Sequence, residues 1–135
     1  MIALIDRAEA IIGKGRIVNN QVEVHPYLQN LKLRRHCASK GIAVTAYLPL
    51  ARGRTATDPV LCRIGAKHGA TGAQVSLAFL MQEGLIVIPA TGRTANLAEN
   101  LDALKIRLEE ADLQDIRLLE SAERLINPAT APVWD

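Results

Sequence analysis

The residues best suited to chemistry stand in one short stretch, 85–100, with the sequence LIVIPATGRTANLAEN. A short apolar run, predicted as a buried strand, breaks at Pro89, and helical spacing resumes at Thr94. Thr91, Arg93 and Thr94 place two hydroxyls and one guanidinium at the turn between them. The first N–H groups of a helix have no internal partner and carry partial positive charge, so such a turn can bind an anion. A phosphate site is one interpretation, and a solvated loop with one surface arginine is the other.

The composition limits the kinds of partner that this stretch could serve. The chain has 135 residues, of which 49% are apolar and 22% charged, as expected of one globular domain with a real core. Its net charge is only +2, and it has no basic run interleaved with aromatic residues. Nucleic acid is therefore not expected as a partner.

Neither the cysteines nor the N-terminus indicates secretion, a membrane or a metal. Cys37 and Cys62 lie 25 residues apart without metal-ligand spacing, and we predict two small buried hydrophobic side chains. His36 has no second ligand pair near it, so no metal site is predicted. Charges at Asp6, Arg7 and Glu9 interrupt the apolar start, which excludes a signal peptide or membrane span. We expect a cytoplasmic protein.

The elements that must position the turn alternate between strand and helix. β-rich runs are predicted at 16–25, 42–47 and 85–88. Helices are predicted at 2–12, 29–40, 58–68, 73–82, 94–103 and 109–125. Asp58 before Pro59, and Thr71 three residues before Gln74, are typical helix N-caps. The order predicts an α/β fold of three parallel strands with flanking helices.

This set of elements resembles part of a (β/α)₈ barrel more than a finished domain, because a complete barrel needs roughly 250 residues. We treat residues 1–135 as a single partial domain whose tail begins near residue 120. In the first β-rich run, polar Gln21 and Glu23 alternate with valines. One of these polar side chains should therefore face something other than the core.

Several separate motifs, spread over nearly the whole chain, resemble the aldo-keto reductases. The motifs are NNQVEVHPYLQN, GIAVTAYLPLARG, AKHGATGAQV, IPATGRTANLAEN and the terminal APVWD. Within that family they look most like the bacterial 2,5-diketo-D-gluconate reductase B type. The resemblance implies NADPH-dependent reduction of small carbonyl compounds, such as diketo sugar acids and aldehydes, on a (β/α)₈ barrel.

The resemblance covers only the C-terminal half of the family's barrel. The family's catalytic aspartate, tyrosine, lysine and histidine belong to earlier strands, so no catalytic residue is assigned here. In that family the nicotinamide supplies a hydride to the carbonyl carbon while the tyrosine supplies the proton.

The cofactor-binding positions of the family do fall within this chain. Gln21 matches the glutamine that hydrogen-bonds the nicotinamide carboxamide, and Tyr47 matches the aromatic residue that stacks on the nicotinamide ring. Leu48 and Leu50 match positions along the pyrophosphate path. The family often has serine where Leu48 stands, which removes one hydroxyl.

The opening stretch matches the family's site for the 2′-phosphate of the adenosine. Thr91 keeps a hydroxyl and Arg93 supplies a positive charge. Many members have lysine where this chain has Ala90, and arginine where it has Asn96, so the preference for NADPH over NADH is left open. Two further residues match positions that contact the adenine: Glu99 and Asn100.

Trp134 lies in the tail, which in this family folds over the pocket mouth and contributes to substrate choice. A tail residue that only fills an apolar groove is the alternative. Two interpretations of the whole chain also remain open. It is the cofactor-binding part of a reductase, or it is a non-catalytic half barrel that binds other molecules or associates with itself through its exposed edges.

Overall fold

A computed structural model describes residues 1–134 and shows a three-stranded parallel sheet with helices packed against it. The strands are β1 (Asn19–Glu23), β2 (Ala43–Tyr47) and β3 (Ile86–Val87), in that order across the sheet. The α-helices are α1 (Ile2–Ile12), α2 (Leu31–Ser39), α3 (Pro59–His68), α4 (Gly72–Gln82), α5 (Thr94–Asp102) and α6 (Glu110–Arg117). Two short 3₁₀ helices cover Ala51–Ala56 and Ala103–Lys105. The predicted α/β architecture is confirmed.

The core lies between the sheet and the helices. Side chains of a strand alternate between its two faces, and Val22, Val44 and Ala46 are buried on the face that meets the helices. The helices contribute the largest buried partners: Leu33, Leu61, Ile64, Phe79, Leu80 and Ile116. The opposite face carries Gln21, which is exposed, and Tyr47, which is half-buried. This second face is therefore the one available for polar chemistry.

The helix starts predicted for α3 and α4 are present. The Asp58 carboxylate accepts hydrogen bonds from the backbone N–H of Val60 at 2.9 Å and of Leu61 at 3.1 Å. Thr71 and Gln74 bond each other's backbone N–H groups in a reciprocal capping box. These caps satisfy N–H groups that a helix start otherwise leaves unpaired.

Several helices and strands are shorter in the structure than the sequence predicts. The run at 16–25 forms a strand only over Asn19–Glu23, and the run at 85–88 only over Ile86–Val87. The helix expected from residue 29 begins at Leu31, because Asn30 has a left-handed backbone with φ of 48°. The first 3₁₀ helix lies in residues 48–57, for which no helix or strand was predicted. Both cysteines were expected to be buried, but Cys62 is exposed on α3.

The largest boundary error concerns the last helix, which ends at Arg117 instead of Leu125. From Ser121 onwards, backbone N–H groups bond the loop after β1 instead of continuing the helix. Those of Ser121 and Glu123 both donate to the carbonyl oxygen of Tyr27, at 3.2 and 3.1 Å. Tertiary hydrogen bonds thus override the helical pattern of the sequence. The final residue of the predicted tail, Asp135, lies outside the described residues.

No helix within residues 1–134 is long and apolar enough to cross a membrane. Each outer strand of the sheet is paired on one side only, so the β1 and β3 edges are open. A closed barrel has no such edges, and an open edge presents unpaired N–H and C=O groups.

Candidate functional site

The site forms where the three parallel strands end, because their carboxyl ends meet at one edge of the sheet. The loops that leave this edge lead from β2 into the first 3₁₀ helix and from β3 into α5. Most of the predicted cofactor residues stand in these two loops or on α5.

Five of the nine predicted cofactor residues line one groove of about 330 Å³. They are Leu50, Thr91, Asn96, Glu99 and Asn100. The rest of the lining consists of small or short side chains: Gly53, Ala56, Thr71, Ala73 and Ala90. The Gln74 amide donates to the backbone carbonyl of Glu99 at 3.0 Å and so fixes α5 against α4. Three segments thus surround this groove through tertiary packing: the loop after β2, the start of α4, and α5.

The N-terminus of α5 lies next to the lining residues Thr91 and Asn96 and has no side-chain cap, although Arg93 itself does not line the groove. Arg93 is the N-cap residue and makes no side-chain cap bond, in contrast to Asp58 at α3. The Thr91 hydroxyl accepts the backbone N–H of Arg93 at 3.1 Å and holds the turn. Arg93 is exposed, and its guanidinium has no hydrogen bond or ion pair within residues 1–134. The first N–H groups of α5 and one free cation are therefore available to an anion.

Tyr47 and Gln21 lie apart from this groove, on the sheet face that the helices do not cover. Tyr47 is the last residue of β2 and pairs in register with Glu23. Burial raises the pKa of the Tyr47 phenol, and the charge of Glu23 adds to this shift, against an opposing effect of Arg124. The neutral ring suits stacking more than proton transfer. Leu48, which follows, has a positive φ of 52° and turns the chain towards Leu50.

Glu23 is a functional candidate that the sequence reasoning did not assign. Its side chain is fully buried, and its two oxygens accept the backbone N–H of Leu125 at 2.6 Å and of Ile126 at 2.9 Å. His25, also fully buried, donates through Nε2 at 3.1 Å. The polar alternation in β1 was the available signal, but it could not show that the partner is the distant tail.

Trp134 contacts residues of its own tail. Its ring lies under the Arg124 guanidinium, with 3.7 Å from Cζ to the ring centroid, and its Nε1 donates to Asn127 at 3.0 Å. The structure does not bring Trp134 into the groove around α5. Within the described range, no cluster of three or more histidine, cysteine or acidic side chains could hold a metal ion.

Comparison with known proteins gives a consistent set of matches. The profile of the Aldo/keto reductase family matches residues 3–120. Methylglyoxal reductase DkgB of Escherichia coli O157:H7 is 43% identical over 135 residues, covering 99% of this chain and 51% of that protein. The protein of the same name from Salmonella typhimurium is 44% identical with the same coverage.

Solved structures agree with the sequence matches. A crystal structure assigned to a 2,5-diketo-D-gluconic acid reductase B superposes with a TM-score of 0.94 at 34% identity, covering 99% of this chain and 48% of that one. A Gox0644 variant in complex with NADPH superposes with a TM-score of 0.83 at 33% identity, covering 98% and 48%. The chain thus spans about half the length of the relatives it matches.

Proposed function

Because this chain belongs to the aldo/keto reductase family, we propose that it supplies the cofactor-binding part of an NADPH-dependent reductase of small carbonyl compounds. Its three parallel strands and flanking helices form an incomplete portion of the (β/α)₈ barrel on which such enzymes are built. The proposal concerns what these residues bind, since none of them is assigned as the catalytic acid.

The observation that carries the proposal is the groove beside the uncapped N-terminus of α5. It has a volume of about 330 Å³, is lined mostly by small side chains, includes Thr91 in its lining, and adjoins the first turn of α5, where Arg93 is the N-cap. These features suit an adenosine with a phosphate on its ribose. Glu99 and Asn100 supply an acceptor and an amide at positions that can hydrogen-bond an adenine.

The nicotinamide end of the cofactor would lie on the exposed sheet face. Tyr47 offers the flat face of a neutral ring and Gln21 offers a side-chain amide for the carboxamide. Leu48 and Leu50 form the apolar path between the two ends. When bound, the cofactor supplies the hydride for carbonyl reduction, while residues of this chain bind and orient it.

The names of the relatives indicate the class of substrate. They are described as reductases of methylglyoxal, an oxoaldehyde, and of a diketo sugar acid. Both are small carbonyl compounds with a second oxygen function next to the carbonyl group. We extend this substrate class to the enzyme of which this chain would be the cofactor-binding part. A cytoplasmic location, with no nucleic acid or membrane as partner, fits this chemistry.

A second candidate function rests on the open edges of the sheet. With no catalytic residue assigned and each outer strand open along one edge, the chain could act only as a binding or self-associating half barrel. Cofactor binding without any activity fits both candidates, and absence of cofactor binding fits the second alone.

The experiment is a titration of the purified chain with NADPH, followed by nicotinamide fluorescence. We expect saturable binding that adenosine 2′,5′-bisphosphate displaces more strongly than adenosine 5′-monophosphate. A folded chain that binds none of these ligands would contradict the cofactor proposal. We also expect negligible NADPH oxidation with methylglyoxal, so rapid turnover by the pure chain would show that a catalytic acid has been overlooked.

A further inference from the structure

We propose that Glu23 is the positioning residue that holds the C-terminal tail, residues 118–134, beside the nicotinamide end of the site. The part of this inference that concerns the nicotinamide rests on the proposed function. The part that concerns the tail rests on contacts within this chain alone.

The Glu23 carboxylate is placed to hold the backbone of the tail. It stands at the last position of β1, has no exposed surface, and accepts N–H groups from two consecutive tail residues, Leu125 and Ile126. His25 donates to one of its oxygens. A buried carboxylate is costly unless its oxygens are hydrogen-bonded, and here more than 100 residues separate it from both backbone donors. No lysine or arginine pairs with it in the described part of the chain, so apart from His25 its oxygens bind the tail.

A second set of contacts links the same strand end to the aromatic residue of the tail. Asn30 donates to the backbone carbonyl of Glu23 at 2.6 Å and accepts from Arg124 Nη2 at 3.3 Å. The Arg124 guanidinium stacks on the Trp134 ring. Stacking of this kind stabilises a cation and an aromatic ring together when they are partly withdrawn from water. Trp134 is therefore held through Arg124 and Asn30 to the end of β1.

The tail thereby comes to lie next to Tyr47. Glu23 pairs with Tyr47 across the sheet, and the charges of Glu23 and Arg124 both act on the Tyr47 phenol. If the nicotinamide stacks on Tyr47, the tail lies beside it at Arg124, whose charge acts on the Tyr47 phenol, and Trp134 lies against Arg124. Glu23 then acts on substrate access through the tail, without touching substrate or cofactor.

Limited proteolysis tests the hold on the tail directly, since trypsin cleaves after Arg124, next to the Leu125 N–H that Glu23 binds. In Glu23→Gln the shape is kept but the charge and one acceptor oxygen are lost. We expect cleavage of the Arg124–Leu125 bond to become about ten-fold faster than in the unmodified chain, with other sites unchanged. Glu110→Gln is the matched control, because Glu110 is exposed on α6 and pairs only on the surface.

Fluorescence tests the position of the aromatic residue, since Trp134 is the single tryptophan of the chain. We expect Glu23→Gln to increase quenching of Trp134 by acrylamide, and we expect NADPH to receive energy from Trp134 in the unmodified chain but much less in Glu23→Gln. Arg124→Lys leaves β1 untouched and should also increase acrylamide quenching. If Glu23→Gln does not fold, this variant tests the attachment of Trp134 to the end of β1 in its place.

The outcomes separate the two proposals. A folded Glu23→Gln with unchanged cleavage and unchanged quenching overturns the role of Glu23. NADPH binding without energy transfer from Trp134 overturns the placement of the tail beside the nicotinamide. Failure of NADPH to bind at all contradicts the proposed function, while faster cleavage in Glu23→Gln still supports the hold on the tail.

Discussion

The groove around α5 contains little charge of its own. Glu99 is the only charged residue that lines it within the described part of the chain, and Ala90 and Asn96 present no cation. Arg93, at the N-cap of α5, is exposed and makes no ion pair within the described part of the chain. At the scale of single residues, any preference for a phosphate on the ribose therefore depends on Arg93 and on the helix N–H groups.

Replacing Arg93 by alanine should weaken NADPH binding more than NADH binding. We expect about a five-fold loss for NADPH and little change for NADH, because an exposed cation contributes about 1 kcal/mol towards a dianionic phosphate. Titrations of the two cofactors under the same salt conditions measure the difference. Arg107→Ala is the control, as Arg107 is exposed and does not line this groove. An equal loss for both cofactors would remove the phosphate role of Arg93.

Introducing a cation inside the groove should have the opposite effect. Ala90→Lys places an ammonium group beside Thr91, and we expect NADPH affinity to rise about five-fold with NADH affinity unchanged. Ala98→Lys adds the same charge on α5 beyond its first turn and outside the groove lining, and serves as the control. The gain should shrink as salt is raised, and a gain that is independent of salt would point to another cause.

At the scale of elements, α3 and α4 approach closely because two glycines leave room. A Cβ added at Gly65 would lie 2.4 Å from the carbonyl oxygen of Ala70, and one at Gly72 would lie 2.4 Å from that of Thr55. Backbone atoms cannot move aside as a flexible side chain can. The glycines therefore determine how the helices beneath the groove pack.

Gly65→Ala should destabilise the protein, although alanine favours a helix over glycine by about 1 kcal/mol. We expect a net loss of about 1–3 kcal/mol in the free energy of unfolding, because the added methyl group overpacks the helix contact. Urea denaturation gives the difference. Ala66→Gly, on the exposed side of the same helix, measures the effect of the difference in helix propensity on stability without the packing effect. A stabilising Gly65→Ala would show that the approach is looser than described.

The start of α6 depends on one buried carboxylate. Burial alone would raise the pKa of Asp112, but hydrogen bonds from His68 at 3.0 Å and Lys67 at 2.7 Å outweigh it, and the pKa is lowered. Asp112 also closes the capping box with Glu109. A carboxyl group whose pKa is lowered in the folded state binds protons more readily in the unfolded chain. It therefore stabilises the fold at a pH above its unfolded pKa, and this contribution is lost as the pH falls through its folded pKa.

Asp112→Asn should therefore be less stable than the unmodified chain at neutral pH. The difference should shrink as pH falls below about 4, because Asp112 itself is then protonated and loses its ionic partners. Thermal unfolding measured from pH 7 to pH 3 gives both curves. Asp102→Asn, which removes an exposed pair with Lys105, should leave stability almost unchanged at every pH. Parallel curves for Asp112→Asn and the unmodified chain would contradict the role of this carboxylate.

At the scale of the whole molecule, apolar surface collects beside the open edge of β3. A groove lined almost entirely by aliphatic side chains runs between β3, α4 and α5. Ile86, Leu101 and Leu104 are 53%, 60% and 69% exposed there. Unpaired backbone groups next to such a surface favour association with another chain.

We expect the isolated chain to self-associate through this edge. Leu101→Glu should shift sedimentation towards the monomer, because a charge is costly to bury in an apolar contact. Leu118→Glu is the matched control, since Leu118 is 83% exposed but lies outside this groove. A monodisperse, cooperatively melting monomer of the unmodified chain would contradict the expectation of self-association.

The sequence by itself determined the order of elements and predicted the class of site. Apolar periodicity together with caps such as Asp58 and Thr71 defines the helices, because the caps act within a few residues of the chain. The turn at residues 91–94 could be predicted as a candidate anion site for the same reason, since such a site at a helix start would be made by neighbouring residues. Family resemblance then named the kind of ligand.

Only the tertiary structure decided which distant residues meet. The groove joins Leu50 to Asn96 across two elements, and Glu23 binds residues 125 and 126, more than 100 positions away. Other long-range bonds, from the N–H groups of Ser121 and Glu123 to the carbonyl oxygen of Tyr27, follow the end of α6 at Arg117, where the helical pattern continues in the sequence. Apolar periodicity reflects only the local preference of a segment for a helix. Distant acceptors, such as a buried carboxylate, can bind the backbone N–H groups of that segment in place of helical carbonyls.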